Sequence, residues 1–274
     1  MIDYINYDNT LEVTLVLTQK CNIKCWYCYW NEEKDIRETV EHDFDKIIEF
    51  IKLHKKDNLL FQFYGGEPTV HPKLIEYADR LNEEFNSVEM FMHTNLIRSA
   101  KYFEQFNKYD NFQIYCSFHS DWVPDTDKWL EKVYLLKNSV VNLVLQETNF
   151  KQILQMFYKL LNRKEVRICP IHQMIGTEVY DSMKSTWPLD YINEHEYKNY
   201  ENQLCKPGFI IRENGDVMRC WAQMSRRYKI FNIYTDPMKH ISDWTVCVSK
   251  ICFCDQAYQR MGIKKYYRMI HDKK

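Results

Sequence analysis

Residues 11–28 read LEVTLVLTQKCNIKCWYC, and this stretch decides the fold. Its first part, LEVTLVL, is a short apolar run bounded by polar residues, the pattern of a buried β-strand. Its second part places Cys21, Cys25 and Cys28 within eight residues, on the loop that follows the strand. Three thiolates so placed can hold three irons of a cubane and leave the fourth iron open to a ligand that is not protein. A structural zinc site normally needs four protein ligands, and a cysteine from later in the chain could supply the fourth.

Downstream, apolar runs and helical periods alternate. Val40, Phe44, Ile47, Ile48 and Ile51 recur at helical spacing over 40–53. LLFQFY (59–64) is a second strand and stops at Gly65-Gly66. His71-Pro72 opens a helix with Leu74, Ile75, Ala78 and Leu81 on one face, proline being favourable in a first turn. VEMFMH (88–93) and FQIYCSF (112–118) are strands three and four, with a short helix near 99–107 between them. Helices over 127–137 and 150–162 flank the strand VVNLVLQ (140–146), and VRIC (166–169) closes the series. Six strands and five helices in regular alternation predict an α/β fold with a parallel sheet and right-handed crossovers. Six units are too few for a closed eight-unit barrel and suit an open, partial (βα)6 TIM-like one. The loops after the strand carboxyl ends then build the active face. The informative residues fall on those loops: the cysteines after strand one, Gly-Gly-Glu after strand two, Thr94-Asn95 after strand three, Ser117 and His119 at strand four.

Composition narrows the function classes. The 274 residues are 45% apolar and 27% charged, which excludes a mostly disordered chain. A formal net charge of −1 gives no reason to expect nucleic acid or an anionic membrane as the main partner. No run approaches the roughly 20 apolar residues of a membrane helix. The N-terminus lacks the basic and apolar regions of a secretory signal, so a cytoplasmic location is expected. Ten cysteines are the outlier, and in a chain that is neither short nor signalled they point to metal binding rather than disulfides.

FYGGEPT (63–69) supplies the context for the early cysteines. Gly65 and Gly66 let backbone approach a ligand closely, Glu67 can accept hydrogen bonds from an amino group, and Pro68 fixes the turn. CX3CX2C after the first strand, GGEP after the second and the six-fold βα pattern, over roughly residues 11–170, resemble the radical S-adenosylmethionine (radical SAM) superfamily. The resemblance implies a 4Fe–4S cluster on Cys21, Cys25 and Cys28, with SAM chelating the open iron. It implies that the backbone at Tyr27 approaches the adenine and that Gly65, Gly66 and Glu67 receive the methionine amine. Asn95 and Ser117 look like the family's contacts to the SAM carboxylate and ribose. The implied reaction is reductive cleavage of SAM to a 5′-deoxyadenosyl radical that takes a hydrogen atom from substrate, the cofactors performing the difficult chemistry.

Cys205, Gly215 and Cys220 form CX9GX4C over GFIIRENGDVMRC (208–220), where Asn214-Gly215 suits a two-residue hairpin turn with positive φ. This resembles the start of a SPASM or twitch domain, the auxiliary-cluster appendage of many radical SAM enzymes. The full SPASM pattern continues as CX2CX5CX3C; here Cys247 and then Cys252-Phe253-Cys254 follow. The resemblance therefore implies the shorter form, with a second 4Fe–4S cluster on Cys205, Cys220, Cys252 and Cys254. Cys247 is an alternative to Cys252, and zinc an alternative to the cluster. Two domains are expected: a radical SAM core over 1–190 and a twitch/SPASM-like, cysteine-rich domain over 191–274. The tail 255–270 could end the chain as a helix.

Four further residues are candidates. Cys116 and Cys169 lie in predicted strands, where a buried thiol is commonly an apolar filler. The sharper role for Cys116 is a thiol that quenches a substrate radical. His119 shares the parity of Ser117 and is a substrate-facing candidate, and His172 is a similar one. The expected function is modification of a ribosomally made peptide by crosslinking, epimerisation or oxidation, with flavodoxin or ferredoxin as electron donor. A separate protein could recognise the peptide. Oxidation of a small molecule (a sugar, amino sugar or nucleotide) is the competing enzyme reading. A non-catalytic Fe–S or zinc protein is the competing class, against which Glu67 argues.

Overall fold

The structure, a computed structural model, describes residues 9–28, 41–54, 56–171, 208–219 and 229–242, together with Glu178, Asp181 and the backbone of 204–205 and 245–246. His172, Cys220, Cys247, Cys252, Cys254 and the 255–270 tail lie outside the described residues, as does the side chain of Cys205.

The predicted alternation is present. Strands β1 (Thr10–Thr18), β2 (Asn58–Gly65), β3 (Val88–Thr94), β4 (Phe112–Phe118), β5 (Ser139–Leu145) and β6 (Glu165–Pro170) pair in sequence order, all parallel. Helices α1 (Phe44–Leu53), α2 (Leu74–Glu84), α3 (Ala100–Glu104), α4 (Thr126–Leu135) and α5 (Phe150–Leu160) connect them. β1 and β6 do not pair, so the sheet stays open, as six units require.

Helices α1 and α4 start where side chains take up free backbone N–H groups. Asp43 accepts from Lys46 N at 3.3 Å, and Asp125 from Lys128 N at 3.0 Å. α5 stops short of the expected residue 162 because Asn162 is left-handed, at φ 65°. Pro72 is not in the first turn of α2. It sits in a turn before the helix, where Lys73 N donates to His71 Nδ1 at 3.2 Å and Leu74 N donates to the His71 carbonyl.

Register gives the sheet two unlike faces. Val13, Leu15, Phe61, Phe63, Met90, Met92, Ile114, Cys116, Val141, Leu143 and Ile168 point to the helices and form the main core. Phe61 and Phe63 are fully buried there, each contributing on the order of 1.5–3 kcal/mol. Phe44 of α1 stacks on Tyr77 of α2 at 4.2 Å and binds the two helices together. The opposite face carries Thr14, Gln62, His93, Tyr115, Ser117, Asn142 and Arg167 in register, a polar lining for the barrel interior.

The C-terminal hairpin extends this same sheet. β8 (Phe209–Ile211) runs parallel to β1, with Val13 opposite Phe209 and Leu15 opposite Ile211. β9 (Asp216–Met218) and β10 (Phe231–Asn232) follow antiparallel, and a separate short pair joins β7 (Leu204–Cys205) to β11 (Thr245–Val246). The turn holds three residues rather than two. Arg212 N donates to the Asp216 carbonyl at 2.9 Å, and only Gly215, at φ 85°, is positive. A three-residue loop needs one glycine in that conformation, so Asn214 stays in the ordinary region. Among the described residues no helix is long and apolar enough to cross a membrane.

His42, buried, fastens the hairpin region to β1. Its Nε2–H donates to the Leu17 carbonyl at 3.0 Å, so Nδ1 accepts from the Tyr234 hydroxyl at 2.7 Å. Burial, with the nearby His71, lowers its pKa to about 4; the rings of Tyr77 and Tyr234 also face it. The unfolded chain therefore binds a proton that the folded chain refuses. Stability from this site is complete above about pH 6.5 and falls away as the pH drops through 4. Urea unfolding is expected to show roughly 3 kcal/mol of acid sensitivity in that window. His42→Phe should flatten it; an unchanged slope would remove His42 from this role.

Candidate active site

A cavity of about 370 Å³ opens at the carboxyl ends of β1–β4. Cys21, Cys25, Tyr27, Cys28, Gly66, Glu67, Asn95, Ser117 and His119 all line it, and Gln19, Lys20, Lys24, His93 and Thr94 join them; Gly65 does not. Cys116 does not. It is fully buried in the core behind the sheet, where burial pushes its thiol up to about 12, because odd and even positions of a strand face opposite sides. This removes it from contact with anything in the cavity. Cys169 is on the interior face, in register with Val144.

The two glycines serve the protein backbone first. A Cβ on Gly65, which has φ 140°, would sit 2.1 Å from the Thr18 carbonyl oxygen, and one on Gly66 would sit 2.5 Å from that of Gln19. The close approach lets Gly66 N donate to the Thr18 carbonyl at 2.8 Å and Glu67 N to the Lys20 carbonyl at 3.0 Å. The end of β2 is thereby fixed against the chain that enters the cysteine loop.

Glu67 is only 1% exposed. Its Oε1 accepts from Thr69 N at 3.2 Å, Thr69 Oγ1 at 2.6 Å and Thr94 Oγ1 at 2.7 Å. Its Oε2 accepts from Asn95 N at 2.8 Å. Burial raises its pKa and the four donors oppose that rise. A carboxylate offers about four acceptor positions, so Oε1 is saturated and Oε2 keeps capacity for one more donor. Asn95 is similarly engaged: Nδ2 donates to Asn22 Oδ1 at 2.6 Å, and Oδ1 accepts from Ile97 N at 3.1 Å. It binds the cysteine loop to the end of β3.

The thiols are not those of a nucleophile. Burial raises Cys21 and Cys25 to about 11 each, whereas reactive cysteines are held low. A metal would have to displace their protons. Among the described residues, no group of three or more His, Cys, Asp and Glu side chains is gathered tightly enough to hold one metal ion. The fit to a thiolate-ligated cluster rests on soft sulfur donors that share one cavity. On that test Cys21, Cys25 and Cys28 could hold an Fe–S cluster, and the remaining acceptor position of Glu67 suits an amine.

Part of the site escaped the sequence reading. Trp26 Nε1 donates to Gln146 Oε1 at 3.2 Å, and Gln146 Nε2 donates to Asp121 Oδ2 at 3.1 Å. This places the end of β5 against the cysteine loop. The rule that found Asn95, a polar residue just past a strand, applies equally to Gln146. Gln19 Nε2 donates to Glu213 Oε1 at 2.8 Å, a buried contact between residues 194 apart with no sequence signal.

Fold and cavity together define an open α/β barrel with a thiol-lined site at the carboxyl face of its strands. Residues 15–122 match the family model of the Radical SAM superfamily. The cofactors of that superfamily are a 4Fe–4S cluster and SAM. Over 73 residues the chain is 36% identical to a provisionally named glycyl-radical enzyme activating enzyme of Methanocaldococcus jannaschii, covering 27% of this chain and 28% of that protein. Over 89 residues it is 32% identical to the antilisterial bacteriocin subtilosin biosynthesis protein AlbA of Bacillus subtilis, covering 32% of this chain and 19% of that one. The chain thus matches less than a third of the length of either relative. The solved structure of anSMEcpe with bound AdoMet and the Kp18Cys peptide shares the fold at TM-score 0.63 and 14% identity, over 84% of this chain and 79% of that one. Streptococcus suis SuiB bound to precursor peptide SuiA shares it at TM-score 0.59 and 14% identity, over 83% and 63%.

Glu67→Gln places an amide where the Asn95 N–H or the Thr69 and Thr94 donors need an acceptor. It is expected to lower unfolding free energy by about 1–3 kcal/mol. A denaturant midpoint equal to that of the unchanged chain would show that these bonds carry no net stability.

Proposed function

We propose that the chain is a radical SAM enzyme that modifies a polypeptide, with Cys21, Cys25 and Cys28 as the ligands of its 4Fe–4S cluster. The observation that carries this reading is the convergence of three thiols and the Glu67 loop on one cavity at the strand ends. When bound, the cluster and SAM supply a 5′-deoxyadenosyl radical that abstracts a substrate hydrogen atom. The chain's own part is binding and exclusion of water. Oε2 of Glu67 accepts from the methionine amine, with Gly66 beside it. The backbone at Tyr27 borders the adenine, and Ser117 and Asn95 border the ribose and carboxylate. His119 faces the substrate side of the cavity.

A peptide substrate is supported by the relatives. AlbA takes part in bacteriocin biosynthesis, and two solved structures of this fold hold peptides. A peptide could reach the site along the polar interior face. The proposed division is a core over 1–190 and a twitch/SPASM-like unit over 191–274, with an auxiliary 4Fe–4S cluster on Cys205, Cys220, Cys252 and Cys254. The pairing of β8 with β1 supports this, since it brings the segment between Cys205 and Cys220 to the barrel edge. A cytoplasmic location, a flavodoxin or ferredoxin electron donor and a separate peptide-recognition protein complete the proposal.

Reduced, reconstituted protein with SAM is expected to release 5′-deoxyadenosine, measured by liquid chromatography, and Cys25→Ala to release none. Full yield from that variant would sink the cluster assignment. The Cys21/Cys25/Cys28→Ala triple variant, reconstituted anaerobically, is expected to keep iron and sulfide for one cluster. A variant without iron would confine the late cysteines to a structural or zinc-binding role.

A further inference from the structure

Tyr27 and His119 reach the cavity from different elements. Tyr27 lies between the second and third cysteines, and His119 follows β4. The Tyr27 hydroxyl and His119 Nδ1 are 2.8 Å apart, and the two rings lie nearly parallel, 6.1 Å between centres and 17° between planes. The same Nδ1 stands 3.7 Å from Sγ of Cys25, which is 6% exposed.

A neutral imidazole carries one proton, and its neighbours decide which nitrogen holds it. With Cys25 a thiol, the Tyr27 hydroxyl and Nδ1 share one hydrogen bond whose direction follows the tautomer of His119. A metal-bound Cys25 has no proton and can only accept. The phenol, and the imidazole in its Nδ1–H tautomer, can then each direct a hydrogen to that sulfur. Cys21 is served differently: Asn95 Nδ2 lies 3.9 Å from its Sγ but donates to Asn22 Oδ1 at 2.6 Å.

Resting on the radical SAM reading, we infer that Tyr27 and His119 are positioning residues that give the Cys25 sulfur a hydrogen bond when the cluster is bound, and so hold its reduction potential up. A hydrogen bond to a cluster sulfur favours the reduced form, which carries the extra negative charge. Such bonds are among the levers a protein has over Fe–S potentials. The inference gives His119 a role toward the cluster in addition to any contact with substrate.

The test is an anaerobic titration with dithionite, followed by electron paramagnetic resonance of the cluster signal that changes on adding SAM. Tyr27→Phe and His119→Phe are each expected to lower the midpoint potential, and the double variant to fall at least as far as either alone. A purely structural role would change cluster content or melting temperature and leave the potential where it was. Unchanged midpoints in both single variants, at full cluster content, would overturn the inference and leave the enzyme reading intact. If His119→Phe assembles no cluster, Tyr27→Phe, which removes one oxygen, decides alone. Absence of any cluster in the unchanged chain would overturn the enzyme reading, and the inference with it.

Discussion

The site depends on one close approach of backbone to backbone, where the end of β2 lies against the end of β1. Gly65 and Gly66 come so near Thr18, Gln19 and Lys20 that no side chain fits at either position. Two main-chain hydrogen bonds then connect the segments. A loop of three cysteines has little regular structure of its own, and such loops are the parts of a protein most free to move. Here the chain entering the loop is fixed before Cys21 is reached. Asn95 holds the loop from β3 and Gln146 from β5.

Glu67 extends this arrangement to the third strand. A carboxylate with almost no exposure is costly unless its oxygens are satisfied. Thr69, Thr94 and the Asn95 backbone satisfy it, and the bonds draw the ends of β2 and β3 to one point. The residue that most suggests amine recognition is thus also a fastening of the barrel rim. The same geometry leaves one oxygen with spare acceptor capacity, so the two roles are compatible.

Much of this was legible in the sequence because it rests on local periodicity. The strand LEVTLVL, the helical spacing of Ile47, Ile48 and Ile51, and the placement of Cys21–Cys28, Glu67 and Asn95 after strands all follow from short-range pattern. What stayed hidden depends on distant contacts or on strand parity. Cys116 and Ser117 are adjacent in sequence, yet one faces the helical core and the other the cavity. The pairing of β8 with β1 joins segments about 200 residues apart and leaves no periodic trace. The Gln19–Glu213 contact is hidden for the same reason. For the glycines, sequence suggested room for a ligand, and the structure shows room made for the neighbouring strand end.

The strand β8 beside β1 also bears on where a foreign strand could add to the sheet. The first strand of an open sheet presents a row of unpaired N–H and C=O groups, a template for another chain. Here that border is occupied, and among the described residues the new outer border, at β10, is two residues long. A short border gives a foreign strand little to grip. The strand that leads into the cysteine loop is therefore insulated from stray pairing by residues contributed from the far end of the chain. Removing the residues of β8 would bare the edge of the strand that carries the cysteine loop.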